Sequence, residues 1–405
     1  MNLPFFISRR ITRQAEGTFS QSINKVAVIS IAVGILSLLL SFVILGGFRD
    51  KIREKIFSFS GQLLITQYSL SSSFEDNSLV LDDTLREVLN REPYVRRWQP
   101  YAYKAGLLKT DQEVQGVIIK GIDHSFDTAY FAGNVKSGRL PRSNPDGYST
   151  EVALSSRIAS YLGLEVGEKV LIFFVQNPPR YRNLLVTGIY ETGLEEFDEK
   201  IVLGDINLVR RINGWDSTEI GGVEVFLKDE VDSYEAQTKL FNALPPDLYV
   251  KNVIDQYLQI FDWLSLLNRN VVVLLVLILF VACFSMISIV LILIMERTQL
   301  IGMLKAMGST NQLIRRIFVV MGVRLIARGL LWGNALGLGF AALQYYLQII
   351  PLDPVNYYMS YVPVKFDWII IVTLNLATAV IIGLTLWIPV LIISRIQPIK
   401  SIRFD

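Results

Sequence analysis

The residue types able to do chemistry are scarce in this chain, and their spacing decides between catalysis and contact. The single histidine, His124 in Gly121-Ile122-Asp123-His124, is a possible base by type but, alone in a loop, reads as a surface residue. Glu195-Glu196-Phe197-Asp198-Glu199 concentrates carboxylates without EF-hand spacing and reads as a solvated face rather than a cation site. The single cysteine, Cys283, sits in an apolar run, so an internal disulfide and a zinc site built from His and Cys are both excluded. No G-x-x-x-x-G-K-[ST], G-x-S-x-G, H-E-x-x-H or C-x-x-C run occurs, which leaves no catalytic residue, no metal ligand set and no nucleotide cradle to nominate. What remains is docking chemistry. In the segment 295–309, Leu300, Ile301, Leu304 and Met307 recur at helical spacing, Arg297 and Lys305 are polar, and Gly308 supplies a stop. A short amphipathic helix of this kind either lies on a lipid surface or seats in the groove of a partner.

The elements that hold this segment are membrane spans. Of 405 residues, 51% are hydrophobic and 19% charged, with mean hydropathy +0.40. Uncharged runs cover Val26–Phe48 (23 residues), Val271–Met295 (25), Gly329–Leu352 (24) and Trp368–Ser394 (27). At ~1.5 Å per residue each is long enough to cross a hydrocarbon core of roughly 30 Å. The first lacks a small-x-small site after it and reads as an uncleaved anchor.

Charge sets the orientation. Arg9, Arg10, Arg13 and Lys25 precede the first span, Arg297, Lys305, Arg315 and Arg316 follow the second, and Arg395, Lys400 and Arg403 follow the fourth. The loop from Asp353 to Asp367 holds only Lys365 as a cation, so both termini are expected in the cytoplasm. Residues 49–267 carry 24 Lys+Arg against 32 Asp+Glu, net −8, and the rest carry 15 against 5, net +10. This partition is topological and gives no reason to expect nucleic acid.

The expected fold is an α-helical membrane protein of four transmembrane helices, with a large mixed α/β periplasmic domain inserted between the first and second spans. In order, residues 1–25 form an amphipathic cytoplasmic lead-in (Phe5, Phe6, Ile7 and Ile11 among Arg9, Arg10 and Arg13) and 26–48 the first span. Residues 49–267 form the external domain, 268–295 the second span and 296–310 the cytoplasmic helix. Residues 311–352 give the third span with an amphipathic entry, 353–367 a short outer loop, 368–394 the fourth span and 395–405 a cytoplasmic tail. In the entry, Arg324 and Arg328 share a helix face, and snorkelling to headgroups or contact with a partner would occupy them. Within the external domain, strands are expected at 62–67, 113–120, 169–175, 184–190 and 222–227, and helices at 82–91, 151–162 and 234–243. Asn177-Pro178-Pro179 marks a loop between two strand-like runs.

The segment Glu296-Arg297-Thr298-Gln299-Leu300-Ile301-Gly302-Met303-Leu304-Lys305-Ala306-Met307-Gly308-Ser309 resembles the coupling segment of FtsX/MacB-type ABC transporter permeases, E-R-x-x-E-I-G-[IM]-L-[KR]-A-[ML]-G-[AS], with Gln299 in place of the usual acid. Further segments resemble the Lol-type lipoprotein-releasing permeases: Gly138-Arg139-Leu140-Pro141 with Glu151–Ser155 and 162–170, Gly188–Asp198, and Asp353–Val364. The ending Ile396–Arg403 fits the wider family. The likeness covers essentially the whole chain.

The resemblance implies a permease subunit that pairs with a second one, itself or a paralogue, and docks on an ABC ATPase subunit that holds ATP and Mg; no cofactor is expected in this chain. Glu296, Arg297, Leu300, Ile301, Gly302, Met303, Leu304, Lys305, Met307 and Gly308 would form the ATPase-coupling site. A lipoprotein would be held by its acyl chains among membrane lipids; Phe42, Leu45 and Phe48 on the first span and Phe261, Leu264 and Leu267 leading into the second are candidates for its slot, with ordinary packing as the alternative. A periplasmic carrier would meet Arg180, Tyr181 and Arg182 at the tip of a short loop, unless that loop is only a strand connection. Two other activities fit the family: macrolide-type efflux, disfavoured because such permeases usually carry their ATPase on the same chain, and mechanical control of cell-wall hydrolases, disfavoured by the size of 49–267.

Overall fold

In the computed structural model, residues 19–68, 77–228, 231–353, 357 and 359–391 are described. Residues 1–18, in the expected lead-in, and 392–405, in the expected tail, lie outside them, as do 354–356 and 358 of the expected outer loop. The chain divides into two units: one of Met1–Arg49, Trp263–Pro351 and Tyr361–Asp405, the other of Asp50–Asp262 and Leu352–Ser360.

Helix α1 (Phe19–Ser60) contributes to both units. The inserted unit continues with β1 (Leu63–Gln67), β2 (Leu79–Val80), α2 (Asp83–Arg91), β3 (Val95–Lys109), β4 (Val114–Ile122) and β5 (Val135–Gly138). Next come β6 (Glu151–Ser155), α3 (Ser156–Leu162), β7 (Lys169–Phe174), β8 (Arg180–Tyr190), β9 (Ile201–Asp205) and α4 (Ile206–Asn213). The last elements are β10 (Glu219–Ile220), β11 (Gly222–Leu227), α5 (Ser233–Ala243) and β12 (Leu248–Asn252). One sheet runs β12-β1-β11-β3-β4-β9-β6-β8-β5. Strand β7 pairs with both β3 and β8, which closes β3, β4, β9, β6, β8 and β7 into a ring. The domain is therefore mixed α/β, as composition and patterning led us to expect.

Local chemistry sets the helix ends. The Asp82 side chain accepts from the Leu85 amide at 2.8 Å, starting α2, and Gly163 ends α3 with φ +64°. One expectation is corrected: 151–162 is not one helix. Glu151–Ser155 is a strand that pairs with β8 and β9, and the Ser155 hydroxyl caps the helix that follows. Glu, Ala and Leu are strong helix formers, but here burial between two strands overrides propensity. The 15-residue strand β3 escaped the pattern altogether, because its inward and outward residues do not alternate strictly.

The helical unit holds α6 (Leu258–Glu296), α7 (Thr298–Ala306), α8 (Asn311–Leu347), α9 (Trp368–Thr385) and α10 (Trp387–Leu391). Among the described residues, three stretches are long and apolar enough to cross a membrane: Asn24–Ser60, Leu258–Glu296 and Trp368–Leu391. Helix α8 is as long, but arginines in its first half and glycines, Asn334 and Gln344 in its second lower its hydropathy.

Those small residues have a packing role. A Cβ at Gly329 would lie 2.6 Å from Ile31 Cβ, and one at Gly333 would lie 2.8 Å from both the Ala32 carbonyl oxygen and Ile35 Cβ, so the ridge at every fourth position lets α8 press against α1. Between apolar helices in lipid there is little hydrophobic drive, and such close approach supplies the contact. Asn334 on α8 and Asn375 on α9 exchange amide hydrogen bonds of 2.7 and 2.9 Å, adding a directional lock. Gln344 is buried and donates to the Val362 carbonyl at 3.0 Å while accepting from the Ile350 amide at 3.0 Å, which fastens the chain leaving α8 to the chain entering α9.

Gly333→Leu is expected to cost ~1–3 kcal/mol or more by overpacking the α1–α8 contact. Gly339→Leu, where a Cβ meets nothing within 4 Å, stays within about 0.5 kcal/mol of the parent. Thermal unfolding of the purified, detergent-solubilised chain checks both; equal losses would refute the close-approach account.

Candidate functional site

The α6–α7 junction turns the amphipathic segment into a two-sided surface. At Arg297 the backbone departs from helix (φ −104°, ψ 21°), and the Thr298 hydroxyl donates to the Met295 carbonyl at 2.9 Å across the break. Ile301 is 0% exposed and Gly302 is buried, while Leu300 and Leu304 pack half-buried against the core that holds Leu293, Ile314 and Phe318. The other side faces out: Met303 is 54% exposed and Met307 81%. Met295 and Gln299 are exposed as well, completing a row at every fourth position. Glu296 is exposed, and Arg297 and Lys305 are half-buried. Gly308, at φ +86°, ends the turn, its amide donating to the Lys305 carbonyl at 3.0 Å. The residues expected to couple to an ATPase thus divide into anchors (Leu300, Ile301, Leu304) and an outward, polarizable methionine face (Met303, Met307).

A second constellation lies in the inserted unit, around the segment 188–198. The Phe197 ring stacks on Phe59 at 4.4 Å between centroids and meets Tyr257 edge-on at 5.3 Å. Phe59 belongs to the last turn of α1, and Tyr257 immediately precedes α6. Phe131 extends the cluster, 6.0 Å from Phe59 and 5.5 Å from Tyr190. The Lys55 ammonium donates to the Thr192 carbonyl at 2.7 Å, and the Asp198 carboxylate accepts from the Thr192 amide (3.0 Å), the Thr192 hydroxyl (2.8 Å) and the Gly193 amide (2.8 Å). Burial raises the Asp198 carboxyl above its ordinary value despite these three donors.

Below the cluster the Lys120 ammonium, fully buried, meets Glu224 at 2.6 Å, sits 4.4 Å from the Phe59 ring centroid and donates to the Phe59 carbonyl. Gln99 donates to the other Glu224 oxygen at 2.7 Å. Desolvation lowers the Lys120 pKa, with Glu224 opposing it. These groups couple the end of α1 to β3, β4 and β11. Elsewhere, Arg139 and Glu151 form a two-pronged pair at 2.7 and 2.5 Å, and the hydrogen bonds from Arg139 hold the Glu151 carboxyl below its usual value.

The remaining candidates are placed as follows. The β7–β8 connection is a five-residue loop containing Asn177-Pro178-Pro179. The Arg180 guanidinium donates to the carbonyls of Arg211 (2.9 Å) and Ile212 (2.8 Å) at the end of α4, and Arg182 to the Tyr181 carbonyl at 2.7 Å. Tyr181 alone of the three presents its ring, 65% exposed. Phe42, Leu45 and Phe48 are half-buried on α1; Phe261 stacks 6.0 Å from Phe57, Leu264 is buried and Leu267 half-buried. His124 is 92% exposed beside Asp123, and Glu195 and Glu199 pair with Arg157 at 2.8 and 2.9 Å. Arg328 is exposed and Arg324 half-buried on α8.

Sequence reasoning missed the Lys120–Glu224 pair, the Asn334–Asn375 pair and the glycine ridge. Only the ridge left a local signal, the G-x-x-x-G-x-x-x-G run from Gly329 to Gly337.

Two family models match the chain: the FtsX-like permease C-terminal domain over residues 272–398 and the MacB-like periplasmic core domain over residues 26–242, which is more than half of it. The chain is similar to the lipoprotein-releasing system transmembrane protein LolC of Xylella fastidiosa (strain Temecula1 / ATCC 700964), at 22% identity over 98% of this chain and 97% of that protein. It is equally similar to LolE of Haemophilus influenzae, at 22% identity over 98% of each chain. Among solved structures, the periplasmic region of MacB from Actinobacillus actinomycetemcomitans aligns at 18% identity and a TM-score of 0.35, covering 50% of this chain and 92% of that one.

Phe197→Ala is expected to cost ~3–5 kcal/mol by opening a cavity against Phe59 and Tyr257, and to raise hydrogen exchange at residues 55–60 and 253–258. Glu224→Leu alone strands a buried ammonium and costs ~3–5 kcal/mol, whereas Lys120→Met with Glu224→Leu recovers most of that loss. Chemical denaturation of the three variants measures the difference; a double variant no more stable than the single would refute the pairing.

Proposed function

This chain belongs to the family of FtsX-like permeases that carry a MacB-like periplasmic core, and from that premise we propose that it is a permease subunit of an ATP-driven complex that extracts lipoproteins from the inner membrane and passes them to a periplasmic carrier. The observation that carries the reading is the two-sided α7: an anchored inner face and an outward Met303–Met307 face, on a chain similar along its length to proteins named for lipoprotein release. In this reading the outward face seats in a groove of an ABC ATPase subunit, which binds ATP and Mg. Movement of that subunit passes through Ile301 into the core of α6 and α8, and along the 39-residue α6. A second permease subunit, a copy or a paralogue, completes the complex.

Four spans fit this arrangement. Trp368 and Trp387, both exposed, are 19 residues apart, or roughly 28 Å of helix, close to the hydrocarbon thickness, and aromatic rings favour its two borders. On α8, Arg328 and the exposed Tyr346 are 18 residues apart, roughly 27 Å, which supports α8 as the remaining span despite its glycines. The basic flanks then put both termini in the cytoplasm and the inserted domain in the periplasm. Phe42, Leu45, Phe48, Phe261, Leu264 and Leu267 are the proposed contacts for acyl chains, and Tyr181, with Arg180 and Arg182 behind it, the proposed contact for the carrier.

The energetics call for ATP. Removing an acyl chain from a bilayer costs about 0.8 kcal/mol per CH₂, so a multiply acylated anchor does not leave spontaneously. The four uncharged runs offer no acid or base relay for an ion gradient to drive the step instead.

The test is reconstitution with the candidate ATPase in proteoliposomes loaded with a triacylated lipoprotein, following its ATP-dependent appearance in the soluble phase with a carrier present. Met303→Asp with Met307→Asp is expected to abolish release while leaving the unfolding temperature of the permease unchanged, because both side chains face outward. ATP hydrolysis by the parent complex without release, with alternative carriers and a paralogous subunit supplied, would overturn the reading.

A further inference from the structure

A cleft of about 740 Å³ opens in the inserted unit, with β4 on one side and α3 on the other. Its volume lies in the roughly 300–1,000 Å³ range of sites that take small ligands or single side chains. Val117 from β4, Ile158 and Tyr161 from α3, Leu107 from β3 and Val175 supply its apolar surface, and Leu107, Tyr161 and Val175 are exposed. The helix wall is fixed in place. The Tyr161 hydroxyl donates to the Glu113 carboxylate at 3.1 Å, and the Arg157 guanidinium is engaged by Glu195 at 2.8 Å and Glu199 at 2.9 Å. With that guanidinium already paired, the α3 wall offers apolar contact rather than a free charge.

The other wall is an open sheet edge, and its backbone identifies the occupant. The parallel ladder of β4 with β9 spans Ile118–Ile122 and starts where the Ile118 amide donates to the Lys200 carbonyl at 2.7 Å. Backbone groups of alternate residues in a strand point to the same side, so Val114 and Gly116 direct theirs along the edge beyond the start of β9. Among the described residues, the amides of Val114 and Gly116 and the Val114 carbonyl have no partner. The Gly116 carbonyl accepts only a long 3.3 Å bond from the side-chain amide of its neighbour Gln115. Sheet edges are usually closed by a lysine, a proline or a bulge; this one presents an exposed valine and a glycine with no side chain to block approach. Such groups are matched by another backbone in extended form. We propose that the cleft takes an extended peptide segment of a partner polypeptide, which adds to β4 as a short strand at Val114–Gly116. Its alternate, apolar side chains lie against Val117, Ile158 and Tyr161. The site lies wholly within the inserted unit and does not depend on what the transporter carries.

The experiment is fluorescence anisotropy of a labelled heptapeptide of alternating Thr and Leu, titrated with the full-length chain in nanodiscs, with empty nanodiscs as the blank. Saturable one-to-one binding is expected. The same peptide N-methylated at its interior amides, which keeps the side chains but cannot pair with an edge, is expected to bind at least about tenfold more weakly. Replacing each Leu of the peptide by Ser is expected to weaken it by a similar factor, about tenfold, through loss of the apolar contact. In the protein, a Cβ at Gly116 meets nothing nearer than Leu107 at 3.9 Å. Gly116→Leu therefore keeps the fold, narrows the cleft and weakens binding about tenfold or more, whereas Gly339→Leu in the helical unit leaves it unchanged. The unfolding temperature of each variant is measured in parallel, so a folding defect is told apart from loss of the site. No saturation by about 1 mM peptide, equal binding of the N-methylated peptide, or unchanged binding in Gly116→Leu overturns the proposal. Self-association of the parent chain that Gly116→Leu removes, with no peptide bound, assigns the edge to a second copy and also overturns it.

Discussion

The inserted domain is organised around a buried charge that has to be neutralised. Lys120 lies at the centre of the sheet with no exposure, and an ammonium in such a place is tolerated only with an acid and acceptors fixed around it. Glu224 comes from β11, Gln99 from β3, and the carbonyl and ring of Phe59 from the last turn of α1. One requirement therefore ties three strands and the end of the long helix to common positions. Phe197, stacked on the same Phe59, then draws in Tyr257 and the start of α6. Within the inserted unit, the end of α1 and the residues that precede α6 are thus held to the sheet by aromatic and ionic contacts.

The helical unit solves a different problem. Between apolar helices, burial of hydrocarbon distinguishes little from lipid, so specificity comes from shape and from the few polar groups. The glycine ridge of α8 sets its distance from α1, the Asn334–Asn375 pair sets its register against α9, and Gln344 fixes the turn that follows. Each of these features lowers the hydropathy of α8. The residues that make it a good packing element are the same ones that make it a weak span by composition.

Much of this was legible beforehand, and the limits are physical. Strands with clear β-branched runs, such as 222–227, and helices with cap and stop residues, such as Asp82 to Arg91, are local events and were readable as such. Glu151–Ser155 was not, because its residues favour helix and only neighbouring strands make it extended. The family segments were visible as patterns, but their roles were not. Arg139 and Glu151 turn out to pair with each other, and Asp198 folds its own turn. Lys120 and Glu224 are 104 residues apart and Asn334 and Asn375 41 apart; no spacing rule connects such partners. In the segment 295–309, periodicity identifies the helix and groups Met307 with its apolar face, whereas packing assigns Met307 to the exposed row.

The division of α7 bears on how such a surface can change over time. Leu300, Ile301 and Leu304 are constrained from within, since any change in their volume disturbs the core behind them. Met295, Gln299, Met303 and Met307 carry no such obligation. The one position where this segment departs from its family pattern, Gln299, lies in that unconstrained row. Substitutions there leave the packing behind the helix intact; under the proposed coupling role, a duplicated permease would acquire a new ATPase by drift along one helical face while its own architecture stays fixed.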